Sequence, residues 1–283
     1  MAAKIINGRA IAQNLQEKMG EEIHQIVDRG GMAPGLAVIL VGENPASQVY
    51  VRMKKKACEK VGIYNKQIVL PATTKEKELK ELVEQLNNDK RIHGILVQSP
   101  LPDHINFHSV IEIILPQKDV DGFHPVNMGN LLLGIPKFIS CTPLGIMELF
   151  KRENIELKGK RAVVVGRSNI VGKPMMVLLI LNHATVTVCH TRTQDLASIT
   201  READIIVAAA GKANIITADM VKEGVVVIDV GMNRVDGKLV GDVDFAKVSQ
   251  KASYITPVPG GVGPMTVTML LHNTIKAYKE QLI

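Results

Sequence analysis

Apolar positions along this chain alternate between two spacings, and the changes of spacing mark out strands and helices in turn. From residue 8 to 29, Ile11, Leu15, Met19, Ile23 and Ile26 recur every three or four positions, the period of one helix face, and Gly30-Gly31 stops the pattern. Leu36 to Val41 is an unbroken apolar run of strand length. A second helix is expected from Ser47 to Val61, closed by Gly62. Ile68–Leu70 predicts a short strand, Lys75–Asn88 a charged amphipathic helix, and Ile95–Val97 a third strand ending at Gln98. This βαβαβ rhythm implies a parallel sheet with helices on its faces.

Residues 98–142 lose the period, carry Pro at 100, 102, 116, 125 and 136, and read as loop. After Thr142-Pro143 a helix leads to Gly159-Lys160, where a second α/β cycle begins. Its strands fall at 162–165, 185–189, 204–208 and 225–230. Gly231 to Gly241 predicts a turn or hairpin, Pro257 to Pro264 a rigid loop, and Met265 to about Lys279 a last helix. The expected fold is therefore α/β in two lobes. Residues 1–140 with 265–283 form a βαβ-type lobe to which the last helix returns, and 141–264 form a Rossmann-like nucleotide-binding lobe.

Composition narrows the function more than the fold. Apolar residues are 46% of the 283, enough for a folded core. Trp is absent, so aliphatic residues and the 12 Met must fill that core. A net charge of +6 suits an anionic partner, and with no aromatic residues punctuating basic stretches a phosphorylated cofactor or acidic small molecule fits better than nucleic acid. Cys58, Cys141 and Cys189 are widely spaced and read as reduced thiols. The N-terminus lacks signal-peptide architecture, and no apolar run approaches the roughly 20 residues of a membrane span. The expectation is a soluble cytoplasmic protein with no membrane or nucleic-acid partner. The eight His show no ligand spacing, so no metal is expected.

The central chemical signal is Gly166-Arg167-Ser168-Asn169-Ile170-Val171-Gly172-Lys173-Pro174, directly after the apolar run Ala162–Val165. Strand, glycine turn and helix make a phosphate cradle, because glycines admit close backbone approach and a helix N-terminus favours negative charge. It is no P-loop: five residues separate Gly166 from Gly172, and Pro174 stands where a magnesium-binding hydroxyl would be. After the next strand comes His190-Thr191-Arg192 rather than an acidic residue. Cations and a hydroxyl there suit a 2′-phosphate, which favours NADP over NAD, although Arg192 also reads as a solvated surface cation.

The first lobe offers reacting groups. On the helix from Ser47, Val49, Met53, Ala57 and Val61 align at i, i+4 as an apolar stripe, with Tyr50, Lys54 and Cys58 beside it. That places Lys54 at the edge of the buried face, where partial desolvation would lower its pKa; the alternative is an ordinary solvated lysine in a run of three. Gln98 at a strand end either bonds such an amine or is a plain loop amide. Asp121, before Gly122, is either a site carboxylate or a turn residue. The Pro259–Pro264 loop either offers amides to an anion or merely stiffens the approach to the last helix.

Taken in order, Tyr50-x-x-x-Lys54, Val97-Gln98-x-Pro100-Leu101-Pro102, Lys118-Asp119-Val120-Asp121-Gly122, Gly166-Arg167-Ser168 and Pro259-Gly260-Gly261-Val262-Gly263-Pro264-Met265-Thr266 resemble the bifunctional methylenetetrahydrofolate dehydrogenase/methenyltetrahydrofolate cyclohydrolase family along nearly the whole chain. The resemblance implies two lobes with a folate cleft between them, an NADP-binding lobe, tetrahydrofolate substrates and a homodimer. It implies that Tyr50 stacks on the aminobenzoyl ring, Lys54 handles protons, Gln98 bonds Lys54 and helps keep it neutral, and Asp121 bonds the pterin. Val97, Ser99, Pro259, Gly260, Gly261, Val262 and Gly263 would line the folate site. Gly166, Arg167, Ser168, Thr191 and Arg192 would hold the cofactor's phosphates, with Met232 beside its nicotinamide. Ser99, Thr191 and Met232 depart from the residues usual at those places. A shikimate-type NADP dehydrogenase would share the two-lobe layout without the Gln98 and Pro259 motifs. A non-catalytic dinucleotide-binding regulator would leave Lys54 without a task.

Overall fold

Residues 3–282 are described in a computed structural model of the chain. In order, the first elements are β1 (Lys4–Ile5), α1 (Gly8–Asp28), β2 (Gly35–Val41), α2 (Pro45–Val61), β3 (Tyr64–Leu70), α3 (Glu76–Asn88) and β4 (Gly94–Val97). Next come α4 (Phe107–Ile111), α5 (Pro125–Leu132), α6 (Cys141–Arg152), β5 (Arg161–Val165), α7 (Gly172–Leu181) and β6 (Thr185–Cys189). The chain ends with α8 (Leu196–Arg201), β7 (Ile205–Ala208), β8 (Val226–Asp229), β9 (Asn233–Val235), β10 (Lys238–Val240), α9 (Phe245–Val248), β11 (Tyr254–Ile255) and α10 (Val262–Gln281).

The contacts divide the chain into two units. One comprises residues 13–141 and 267–282 and holds a parallel sheet in the order β3-β2-β4. All seven residues of the central strand β2 are buried, which is why its sequence is continuously apolar rather than alternating. Helix α3 lays Leu79, Val83 and Leu86 into the core, and the Glu78 carboxylate accepts from the Lys75 amide at its start. The end of α10 belongs here: the Asn273 amide donates to the Val120 and Ile139 carbonyls, and Tyr278 meets His93 edge to face.

The stretch expected to be loop contains two short helices. Asn106 caps α4 through its side chain, and α5 starts with Pro125 at its first position and His124 Nδ1 accepting from the Val126 amide. Neither is long enough to show a hydrophobic period.

The second unit comprises residues up to Ala12 and 142–266. Its six-stranded sheet is parallel throughout, in the order β1-β11-β8-β7-β5-β6. Residues 3–12, assigned by the sequence pattern to the first lobe, lie in this unit because β1 pairs with β11, Lys4 opposite Tyr254. A two-residue strand carries no period by which to recognise it. The expected hairpin is β9 and β10, paired antiparallel. From β5 the chain steps outward to β6 and then returns to the other side of β5 as β7. The ends of β5 and β7 therefore flank the switch point at which open α/β sheets bind ligands.

Candidate functional site

In the three-stranded unit the candidate reacting groups collect beyond the C-terminal ends of β2 and β4. Gly42 turns the chain out of β2, the Asn44 side chain accepts from the Ser47 amide, and α2 begins. Its buried stripe is Ser47, Val51, Lys54, Cys58 and Val61, while Val49 and Met53 are exposed. The expected i, i+4 stripe was therefore misplaced. At 100° per residue a strict four-residue step drifts, so Val49 and Val61 point about 120° apart, whereas alternating steps of three and four stay on one line. The consequence is large for Lys54. It sits in the middle of the buried stripe, 8% exposed, while Lys55 and Lys56 face solvent.

Lys54 Nζ donates to Gln98 Oε1 at 2.9 Å. The same amide donates through Nε2 to the Ser99 carbonyl at 2.8 Å, which turns its oxygen toward the amine. Burial lowers the Lys54 pKa; the Asp121 carboxyl opposes that shift, and the Cys141 and Cys58 thiols add to the opposition. Burial likewise raises Asp121, opposed by Lys54. Both groups are thus driven toward their neutral forms. Gln98 orients Lys54 rather than neutralising it, since an accepting oxygen suits the charged amine at least as well.

Tyr50 is one turn before Lys54 on α2, half-buried, with burial raising its phenol pKa. Val97 is buried at the end of β4, and Ser99 is exposed just beyond Gln98. Asp121 stands at a turn: Gly122, at φ +74°, packs so tightly that a Cβ would overlap the backbone of Ile139 and Ser140. Its neighbour Asp119 is structural, accepting from the Phe123 and His124 amides and from Asn127 Nδ2.

Cys141 joins this cluster without any sign of it in the sequence, and Cys58, which the sequence places beside Lys54, was given no role there. Cys141 is fully buried, donates to the Val120 carbonyl at 3.4 Å and has its thiol pKa raised by burial. Cys58, on the Lys54 stripe, is pushed up to about 12 by burial. Neither thiol is poised to react as a thiolate.

In the six-stranded unit the turn after β5 has the features of a phosphate cradle. Gly166 is at φ +133°, and a Cβ there would overlap the Ala209 carbonyl oxygen, so only glycine fits opposite the loop after β7. Ser168 Oγ accepts from the Val171 and Gly172 amides at 3.1 and 3.4 Å, fixing the first turn of α7. Arg167 is exposed on this turn.

The neighbouring turn, after β6, is level with it because Val165 pairs with Cys189. There the His190 amide donates to Thr193 Oγ1 and the Arg192 amide to His190 Nδ1, leaving the Thr191 and Arg192 side chains exposed. Cations and hydroxyls at the ends of β5 and β6 fit a dinucleotide carrying an extra phosphate. Met232 is 47% exposed just beyond β8. The Pro259–Gly263 segment is pinned to the start of α1, with the Arg9 amide donating to the Gly260 carbonyl and the Gly261 amide to that of Pro257. Among the described residues no group of three His, Cys, Asp or Glu could hold a metal ion.

Comparison with known proteins shows the family. The family model for the tetrahydrofolate dehydrogenase/cyclohydrolase catalytic domain matches residues 6–121, and that for its NAD(P)-binding domain matches residues 140–282. The bifunctional protein FolD of Moorella thermoacetica is 58% identical over 281 residues, 99% of this chain and 100% of that one. A crystal structure of the bifunctional FolD dehydrogenase/cyclohydrolase from Campylobacter jejuni superposes with a TM-score of 0.97 at 52% identity, covering 99% and 100% of the two chains. The Trypanosoma brucei enzyme, solved with NADP cofactor and inhibitor, gives 0.96 at 41% identity, covering 100% and 99%. A shikimate dehydrogenase from Aquifex aeolicus reaches only 0.52 at 14% identity over 88% and 92%, a likeness of fold alone. The chain belongs to the tetrahydrofolate dehydrogenase/cyclohydrolase family.

Proposed function

We propose that Lys54 moves the protons of the hydrolytic half of a two-step reaction. The chain is an NADP-dependent methylenetetrahydrofolate dehydrogenase and methenyltetrahydrofolate cyclohydrolase. In the first step 5,10-methylenetetrahydrofolate loses a hydride, and the 5,10-methenyl cation remains. NADP supplies the hydride acceptor. This step needs ring alignment but no protein base. In the second, water attacks the cation's bridging carbon and loses a proton. The ring then opens at one nitrogen, which gains a proton, while the new hydroxyl gives its remaining proton to solvent as its oxygen becomes the formyl carbonyl; the product is 10-formyltetrahydrofolate, with one proton released overall. One amine that takes up a proton and returns it serves both events.

The observation that supports Lys54 in this role is its burial together with its bond to Gln98 Oε1: a lysine at 8% exposure, oriented by an amide, with its pKa lowered. In this reading Gln98 positions the amine, Tyr50 stacks on the aminobenzoyl ring, and Asp121 accepts from the pterin's adjacent donors. Val97 and Ser99 complete the folate contacts of the three-stranded unit. Gly166, Ser168 and the amides opening α7 take the pyrophosphate. Arg167, Thr191 and Arg192 take the 2′-phosphate, and Met232 borders the nicotinamide.

A homodimer working in the cytoplasm completes the reading. Among the described residues no helix is long and apolar enough to cross a membrane. Sedimentation at micromolar concentration checks the dimer. The activity test supplies purified protein with 5,10-methylenetetrahydrofolate and NADP and follows NADPH, methenyl and formyl products separately. NADPH with formyl product is expected. NADP binding without turnover would leave a binding protein.

A further inference from the structure

Two buried carboxylates stand at the switch point of the six-stranded sheet, and neither the dehydrogenase nor the cyclohydrolase step uses them directly. Asp242 is 0% exposed. It accepts from the backbone amides of Ala210, Gly211 and Lys212 at 2.6, 2.9 and 3.0 Å, and from Asn233 Nδ2 at 2.9 Å. Those donors come from the loop after β7 and the hairpin after β8. Asp229, 2% exposed, accepts from the amides of Gly231, Asp242 and Val243 at 2.9, 2.9 and 3.0 Å.

The packing is reciprocal. A Cβ on Gly231 would overlap the Asp242 carboxylate, and one on Gly241 would overlap that of Asp229. The segments Asp229-Val230-Gly231 and Gly241-Asp242-Val243 each pair a carboxylate with a glycine, and they are partners in space. The loop so held begins at Ala209, whose carbonyl oxygen faces the missing Cβ of Gly166. Hence the far wall of the glycine turn owes its position to Asp242.

We propose that Asp242 is a positioning residue for NADP. Its carboxylate gathers the Ala210–Lys212 amides and Asn233 into one arrangement, so that the loop opposite Gly166 and the segment carrying Met232 are preset before the dinucleotide arrives. Asp229 anchors Asp242 in turn. Without the carboxylate up to four part-buried donors lose their acceptor, and the loop must find another conformation.

This inference rests on the reading of the Gly166–Gly172 turn as the dinucleotide site, so the experiment carries a separate control for that reading. The two activities divide the readout, because hydrolysis of supplied 5,10-methenyltetrahydrofolate needs no NADP. Asp242→Asn keeps the shape but turns amide hydrogens toward amide hydrogens. Its KM for NADP should rise on the order of tenfold to a hundredfold, with kcat at saturating NADP and the cofactor-free cyclohydrolase rate within about threefold of the parent. A parallel fall of both activities, or an unchanged KM, would overturn the proposal.

Arg167→Ala is the control. If it leaves NADP affinity unchanged, the site reading fails. If it weakens NADP and Asp242→Asn does not, the positioning role fails alone. Should Asp242→Asn not fold, Asn233→Ala removes one of the four donors; a several-fold rise in KM for NADP with intact cyclohydrolase supports the role, and an unchanged KM refutes it.

Discussion

The three-stranded unit brings its chemistry to the strand ends on side chains, whereas the six-stranded unit brings it largely on backbone. Beyond β2 and β4 stand an amine, an amide and a carboxyl group, and the largest influence on the first and last is burial. Beyond β5 and β7 stand a glycine turn, the opening amides of a helix and a loop whose amides a carboxylate collects. The difference follows the chemistry. Water attack and ring opening need a group that changes protonation state, which backbone cannot supply. Holding a polyphosphate needs many donors of fixed position, which backbone supplies without the entropy of long side chains.

If that division is right, the two units can be disabled separately. The largest expected effect is Lys54→Met. It should cost the cyclohydrolase roughly 10²–10⁴-fold, the usual worth of general acid-base catalysis, with the dehydrogenase changed less than about tenfold. Assaying both activities on one folded preparation decides it, and an equal loss of both would dissolve the contrast.

Next in size is Arg167→Ala in the other unit. Losing a charge-assisted hydrogen bond should weaken NADP on the order of tenfold to a hundredfold, leave NAD nearly unaffected, and spare cofactor-free hydrolysis. Titration with both dinucleotides checks it. Equal weakening of NADP and NAD would move Arg167 from the 2′-phosphate to the shared part of the cofactor.

How much of this was legible beforehand also differs between the units. The glycine turn could be read from adjacent residues, because strand, turn and helix follow one another in nine positions after Val165. Lys54 could not be placed so well. Its neighbours Lys55 and Lys56 argue for a solvated run, and its burial is fixed by which line of α2 faces the sheet, a choice the strict i, i+4 pattern got wrong. Cys141 reaches the cluster only through tertiary folding, more than 80 residues after Lys54. Asp242 is hidden for the same reason: its acceptor role appears only when loops 30 residues apart meet. β1 and the short helices α4 and α5 were too brief for any period to show.

A smaller effect sharpens the electrostatic half of the comparison. The Asp121 carboxyl raises the Lys54 pKa against the lowering by burial. Asp121→Asn removes that opposition, so the Lys54 pKa should fall further and the acidic limb of the cyclohydrolase pH profile should move to lower pH. The rate itself should drop by about tenfold through the lost carboxylate hydrogen bond to substrate. A limb that moves to higher pH would mean that Lys54 is not the group titrating in it.

The smallest effect concerns stability and belongs to the backbone-rich unit. Burial raises the Asp229 carboxyl from 3.8 to about 6, although three backbone amides pull it down. A raised carboxyl binds its proton more tightly in the folded state than in the unfolded chain. Its contribution to stability is therefore greatest below pH 4, declines as pH rises toward 6, and is constant above. The span amounts to about 3 kcal/mol at most. Other carboxyls act the opposite way: Glu76, held down to about 2 chiefly by its bond to Lys80, and Asp204, held low by Lys222, favour the folded state as pH rises. The whole-protein curve thus mixes both signs, and only a difference isolates Asp229. Urea unfolding of the parent and of Asp229→Asn at pH 4.5, 5.5 and 7 provides it. The parent's advantage over the variant should shrink with rising pH. An advantage that grows instead would show that the amides outweigh burial and that Asp229 is anchored as a charged carboxylate throughout.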